Sequence, residues 1–200
     1  AYEYNNSNWG DVLTSYNGQN ITYDGIGNPL TYRDGMSMTW KNGRQLATLT
    51  NGDTSISYGY DSGSVRTTKT VNGVKYTYAY LNGQHMYETR GDAKFYYSYD
   101  ANGILYNVRY TLTDGGTEYS YYLTHNSRGD IVGIYNGAGE LKAHYEYDAW
   151  GNVISITDNN GNVITSPNHI GNLNPFRYRG YYYDTESNEP LLRPCYSQIY

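Results

Sequence analysis

Four aspartates carry the most regular chemistry in this chain. Asp24, Asp61, Asp100 and Asp148 each follow a tyrosine (Tyr23, Tyr60, Tyr99, Tyr147), and each precedes a glycine (Gly27, Gly63, Gly103, Gly151). Repeated carboxylates could ligate calcium. Glycine–aspartate calcium rolls, however, need dense Gly-Gly-x-Gly-x-Asp runs at a period of about nine residues, and no such run is present. An aspartate at a strand end can instead accept backbone N–H bonds within a turn, with glycine supplying positive φ. The four therefore read as turn-formers. His85, His125, His144 and His169 show no zinc-helix spacing and read as structural or solvated, His125 as a packing residue. No Gly-x-Ser-x-Gly elbow occurs, and Gly25-Ile26-Gly27 lacks the lysine and third glycine of a phosphate loop. Glu88 with Asp92 reads as hairpin surface. Arg177 and Arg179 read as alternate positions on a strand, ion-paired with Asp184 or Glu186. No catalytic, cofactor or metal residue is assigned.

The elements that must position these aspartates are hairpins. Aligned on the second aromatic of each copy, Tyr23, Trp40, Tyr60, Tyr80 and Tyr99 are spaced by 17, 20, 20 and 19 residues, and Tyr147 follows 48 residues later. That gap holds two units, joined in the divergent Tyr121–His125 segment. Trp40 with Gly43 and Tyr80 with Gly83 are degenerate copies. A unit of about 20 residues fits two strands and two turns. Asn-Gly, the strongest short hairpin signal, occurs eight times. Lys75 to Tyr80 alternates tyrosines with smaller residues at period two.

Composition agrees. Among 200 residues there are 28 tyrosines and 23 glycines, so apolar burial must come largely from phenol rings. Mean hydropathy is −0.77, but regular aromatics argue against disorder. A net charge of −5 without a basic run removes the electrostatic term for nucleic acid. No apolar stretch approaches the ~18 residues of a membrane span, and the first residues carry no leader pattern. Cys195 is the sole cysteine, so no intrachain disulfide forms. Tyrosine faces could also bind sugar rings, though Trp9, Trp40 and Trp150 lie far apart.

The Tyr-Asp-x-x-Gly copies resemble the YD repeats of Rhs proteins, their wall-associated Gram-positive relatives, Tc-toxin C components and teneurins. Tyr122-Leu123-Thr124-His125-Asn126, Gly129-Asp130-Ile131-Val132, Tyr147 to Val153 and Asn174 to Asp184 resemble, in that order, the Rhs repeat-associated core. Its motif falls on Pro175, Phe176, Arg177, Tyr178, Arg179, Gly180, Tyr183 and Asp184. The resemblance implies a β-strand ribbon wound into a hollow shell around a C-terminal toxin, with the core plugging one end. The family pattern continues into an Asp-Pro motif used for autoproteolytic release. Here the sequence departs after Asn188 and holds no Asp-Pro, so self-cleavage is not carried over. A shifted reading frame and a naturally variable tip are the two accounts of residues 189–200.

The expectation is an all-β antiparallel hairpin ribbon, forming a curved or spiralling wall of a Rhs-type shell. It has YD repeats over 1–165, a partial core over 166–188 and a divergent tail over 189–200. The expected role is non-enzymatic: a segment of a secreted or surface toxin shell, without cofactor. Its partners are other YD repeats and a C-terminal toxin of the same protein. The alternative is an adhesion or carbohydrate-binding module that takes glycans.

Overall fold

The computed structural model describes residues 2–5 and 10–185. The tail 189–200, the last three residues of the core segment, Trp9 and Glu186 lie outside that range. Two compact units, Ala1–Thr77 and Tyr78–Tyr200, divide the chain.

The first unit opens with a small sheet of β1 (Tyr2–Glu3), β2 (Ser15–Tyr16) and β3 (Gln19–Asn20). An antiparallel meander follows: β4 (Ser37–Lys41), β5 (Gln45–Asn51), β6 (Thr54–Tyr60), β7 (Arg66–Val71) and β8 (Val74–Leu81), whose last residues belong to the second unit. Alternation places Met38, Leu49, Ile56 and Tyr58 inside. Lys69 is 1% exposed, its ammonium 4.7 Å from the centre of the Tyr76 ring, so a cation shares this core with an aromatic face.

In the second unit β9 (Gln84–Arg90), β10 (Ala93–Tyr99), β11 (Leu105–Thr111), β12 (Tyr119–His125), β13 (Ile131–Asn136), β14 (Leu141–Tyr147) and β15 (Val153–Thr157) pair in chain order, all antiparallel. One face carries Phe95, Tyr97, Val108, Tyr110, Leu123, Ile134, Ala143 and Tyr145. The chain end supplies the layer that covers it: a single helical turn, α1 (Ile170–Leu173), and then Phe176, Tyr178 and Tyr182, all buried.

The register slips at a constant place. Tyr60 pairs with Arg66, Tyr99 with Leu105, His125 with Ile131, Tyr135 with Leu141 and Tyr147 with Val153, each after a one-residue irregularity. Every such pair encloses five residues, and the strand leaving the turn carries a bulge, a feature that increases local twist.

The Asn-Gly pairs do not all make the same turn. Asn17-Gly18 and Asn72-Gly73 have positive φ at both residues and join paired strands directly, as a type I′ turn requires. At 51–52 the turn shifts by one residue: Asn51 pairs with Thr54, and Gly52 takes the positive φ. Asn102-Gly103, Asn136-Gly137 and Asn160-Gly161 fall inside the five-residue turns.

Candidate functional site

Seven five-residue turns of one design occur among the described residues, beginning at Asp24, Asp61, Asp100, Asn126, Asn136, Asp148 and Asp158. The first residue's N–H donates to the fifth residue's carbonyl, and the fourth residue's N–H donates back to the first carbonyl. The leading side chain's Oδ1 accepts from the third and fifth N–H groups at 2.8–3.1 Å. These bonds supply acceptors for N–H groups that strand pairing leaves out. The four expected aspartates sit in this role. Asn126, Asn136 and Asp158 share it and were missed as repeat copies.

In five of the seven turns the fifth residue completes the design by complementarity; the turns at Asp61 and Asp100 have Val65 and Ile104 there. Where an aspartate leads, Asn28, Asn152 or Asn162 returns an amide bond to its second oxygen. Where an asparagine leads, its amide donates to Asp130 or Glu140. An acid faces an amide in each of the five pairs. Burial would raise the Asp24 and Asp148 carboxyls, but the Asn donors and turn N–H groups hold both below the usual range; the Asn162 amide does the same for Asp158. Gly27, Gly103 and Gly151 hold the fourth position at positive φ. Gly63 does not: in its turn Ser64 occupies that position at φ 65°, so the assignment of Gly63 as the turn's left-handed residue is corrected. The degenerate copies keep Gly43 and Gly83 at positive φ.

The tyrosine before each aspartate ties its turn to an earlier segment. Tyr23, Tyr60, Tyr99 and Tyr147 donate their hydroxyls to the carbonyls of Leu13, Leu46, His85 and Ile131 at 2.7–3.1 Å. In the degenerate copy Trp40 donates Nε1 to Pro29 O at 2.6 Å. Tyr80 is the exception in placement, half-exposed with its ring 5.1 Å from the His85 ring centre.

The core motif forms a clasp. Residues 177–181 make a tight turn, not the expected strand: Arg177 N–H donates to Tyr181 O, Gly180 N–H to Arg177 O, and Arg179 sits at φ 52°. Tyr178 stacks where Gly151 leaves room, since a Cβ there would lie 2.4 Å from its ring. The Arg179 N–H, third in this turn, has no local side-chain acceptor and donates to Oδ1 of Asp130 at 3.0 Å. Asp130 is 0% exposed and also accepts from Asn126 Nδ2 (2.6 Å) and pairs with Arg128 (3.1 Å). Burial opposes its charge, yet these donors keep its carboxyl below the usual range. A related device exists in the first unit, where Asp34 N–H, in the turn from Tyr32 to Met36, donates to Gln19 Oε1 at 2.7 Å. Around the clasp, Ile131 N–H donates to Arg177 O, Tyr145 OH to Gly171 O at 2.7 Å and Tyr183 OH to Gly151 O at 3.1 Å. Arg177 is buried with its guanidinium 5.8 and 5.6 Å from the Tyr145 and Tyr183 ring centres. Pro175 and Asp184 are buried as well.

Beneath the clasp lies a polar cluster. Glu88 is 0% exposed, which corrects its reading as hairpin surface; Asp92 alone is exposed. Arg90 pairs with Glu88 and donates Nη1 to Leu173 O at 2.9 Å. Its guanidinium lies 4.2 Å from the Phe95 ring centre. His85 stands 3.5 Å from Glu88, ringed by Tyr78, Tyr97, Phe176 and Tyr182. Burial pushes the Tyr97 and Tyr182 phenols well up, so both stay neutral. Sequence reasoning missed this cluster, because alternate positions of a strand do not reveal what later covers them.

Among the described residues no three His, Cys, Asp or Glu side chains converge as a metal site, and no helix is long and apolar enough to cross a membrane. The RHS Repeat family profile matches residues 125–163, the span holding the turns at Asn126, Asn136, Asp148 and Asp158. The chain is 34% identical over 193 residues to the tRNA3(Ser)-specific nuclease WapA of Bacillus spizizenii. It is 34% identical over 198 residues to the tRNA nuclease WapA of Bacillus subtilis strain 168. Each match takes in 92% of this chain and 8% of the relative, so the chain spans under a tenth of the curated relatives' length. Two solved structures share 17% identity at a TM-score of 0.41, covering 62% of this chain and 7% of theirs: the TcdB2-TccC3 complex and the Photorhabdus luminescens Tc holotoxin pore.

Proposed function

Because this chain belongs to the Rhs/YD-repeat family, we propose that it is a non-enzymatic wall segment of a secreted or surface-displayed toxin, where hairpins and clasp together sequester a C-terminal passenger. The observation that carries this reading is the clasp. The chain end folds back over one face of its own hairpin sheet and is fastened there by Asp130, Arg90 and Tyr145. A segment so held delivers whatever follows it to a fixed place on the wall. In this proposal the tRNA-nuclease activity named for the WapA relatives resides outside the shared stretch, in a passenger of that class. The repeat tyrosines support packing over glycan capture, since their hydroxyls are spent on backbone carbonyls.

The test is protection. The full-length reading frame containing this segment is expressed, and proteolysis and RNA cleavage by its C-terminal domain are compared before and after mild denaturation of the wall. Sequestration predicts a domain that resists protease and is inactive until the wall opens. A downstream domain as accessible and active as its isolated form overturns the proposal.

A further inference from the structure

We propose that Tyr87 and Tyr96 form an oxidative cross-linking site, at which a one-electron oxidant joins the two phenol rings and staples β9 to β10 through a carbon–carbon bond. The two residues are direct cross-strand partners. Their ring centroids lie 4.9 Å apart with planes inclined by 42°, close enough for side-chain rotation to bring an ortho carbon of each ring together without a change of register. They lie on the sheet face opposite Phe95 and Tyr97, and both are only half-buried, within reach of an external oxidant.

Their hydroxyls distinguish them from the repeat tyrosines. Tyr99, Tyr145 and Tyr147 hold their O–H groups in bonds to backbone carbonyls. Among the described residues neither Tyr87 nor Tyr96 makes such a bond, so each phenolic hydrogen is open to abstraction. Tyr110 and Tyr119 also stack, at 5.1 Å and 25°, but Tyr110 is 3% exposed and shielded from a bulky oxidant. The Arg109 guanidinium, 5.4 Å from the Tyr96 ring centre, holds that ring in place by cation–π contact.

The chemistry balances with a haem peroxidase and hydrogen peroxide. Each phenol gives up one electron and one proton, leaving two phenoxyl radicals. These couple through ortho carbons, and the hydrogen on each coupled carbon moves to its own oxygen. The pair loses two hydrogens in all, and one hydrogen peroxide becomes two waters. A chain whose sole cysteine is Cys195 has no intrachain disulfide available. A phenol–phenol bond supplies the covalent tie, limiting the unfolded chain as a short disulfide loop does.

The dilute chain is treated with horseradish peroxidase and hydrogen peroxide. The expected product is a monomer with dityrosine fluorescence, a mass lower by two hydrogens, a raised Tm, and one branched tryptic peptide joining residues 87 and 96. Tyr87→Phe and Tyr96→Phe each abolish that product, while Tyr110→Phe leaves it unchanged. Peptide mapping of the unaltered chain alone is decisive if a variant fails to fold. Coupling at other tyrosines without an 87–96 link overturns the proposal. So does fluorescence that persists in Tyr87→Phe, or no coupling where free tyrosine added to the same tube dimerises.

Discussion

Replacing Asp130 tests the clasp and the acid–amide rule together. The Asp130 carboxylate is fully buried and accepts from the Asn126 amide and the Arg179 N–H, besides its pair with the exposed Arg128. Asp130→Ala strands both donors. Hydrogen bonds to a charged group contribute about 1.5–3 kcal/mol each. The half-exposed Arg128 pair adds only about 0–1 kcal/mol. Allowing for non-additivity within one network, the expected loss is about 4 kcal/mol. Asp130→Asn keeps the shape but sets one amide donor against another, because Asn126 already uses its oxygen for the N–H groups of Arg128 and Asp130. That variant should lose about 2 kcal/mol. The double swap N126D/D130N recreates the arrangement seen at Asp148–Asn152: the amide at 130 donates back to the carboxylate at 126, and its oxygen still accepts from Arg179. Most of the loss should return. The readouts are denaturant unfolding, exchange of the Arg179 and Ile131 amides, and trypsin cleavage after Arg177 and Arg179. If Arg179 exchanges no faster in Asp130→Ala, or if the swap is no better than Asp130→Asn, the reasoning fails.

His169 caps α1 by accepting the Gly171 N–H on Nδ1, which requires an unprotonated nitrogen, and burial sets its pKa below the usual value. The cap's stability is therefore complete above about pH 6.5 and lost as pH falls through the lower folded value, which Gly171 exchange between pH 7 and 5 will follow. Tyr147→Phe removes the bond to Ile131 O and should cost about 1–1.5 kcal/mol in urea unfolding without loss of sheet content. Gly151→Ala meets both a φ of 93° and the Tyr178 ring, whereas Gly161→Ala meets only a φ of 81° in open space. The first should cost about 3 kcal/mol and free the clasp, the second about 1 kcal/mol, by paired thermal melts. Glu88→Ala leaves Arg90 buried without its carboxylate and should cost about 3–5 kcal/mol, with loss of protection around Leu173.

The ribbon could be read from local signals because its parts are local. Asp100 and Gly103 lie in one turn, and Tyr76 and Tyr78 differ by one pleat; spacing of that kind survives in sequence. Gly63 misled because the turn counts positions, not residue types, and Ser64 stands fourth. Asn126 and Asn136 are not aspartates and Asp158 follows Thr157, so none of the three carries the Tyr-Asp pair. The complementary pair at first and fifth positions, acid with amide in either order, would have found all three. The clasp could not be read this way. Arg177 and Arg179 look alternate and strand-like until Asp130, 49 residues from Arg179, supplies the acceptor that lets the chain turn there. Glu88 looked like a surface acid because its cover, residues 170–182, is remote in sequence.

The bonds of the aromatics that enter the turns point one way. Tyr23, Trp40, Tyr60, Tyr99 and Tyr147 each reach back 10 to 16 residues, and none of these five bonds waits for sequence still to come. A chain emerging amino-end first, from a ribosome or an export channel, can therefore fasten each hairpin as its last residue appears. Contacts of such short range close fast and leave little unpaired edge exposed during growth. Among the described residues the clasp must wait, since its anchors Arg90, Asp130 and Tyr145 are made before the residues they hold. The hairpins can thus form in chain order, and the clasp closes only once residues 170–182 have appeared.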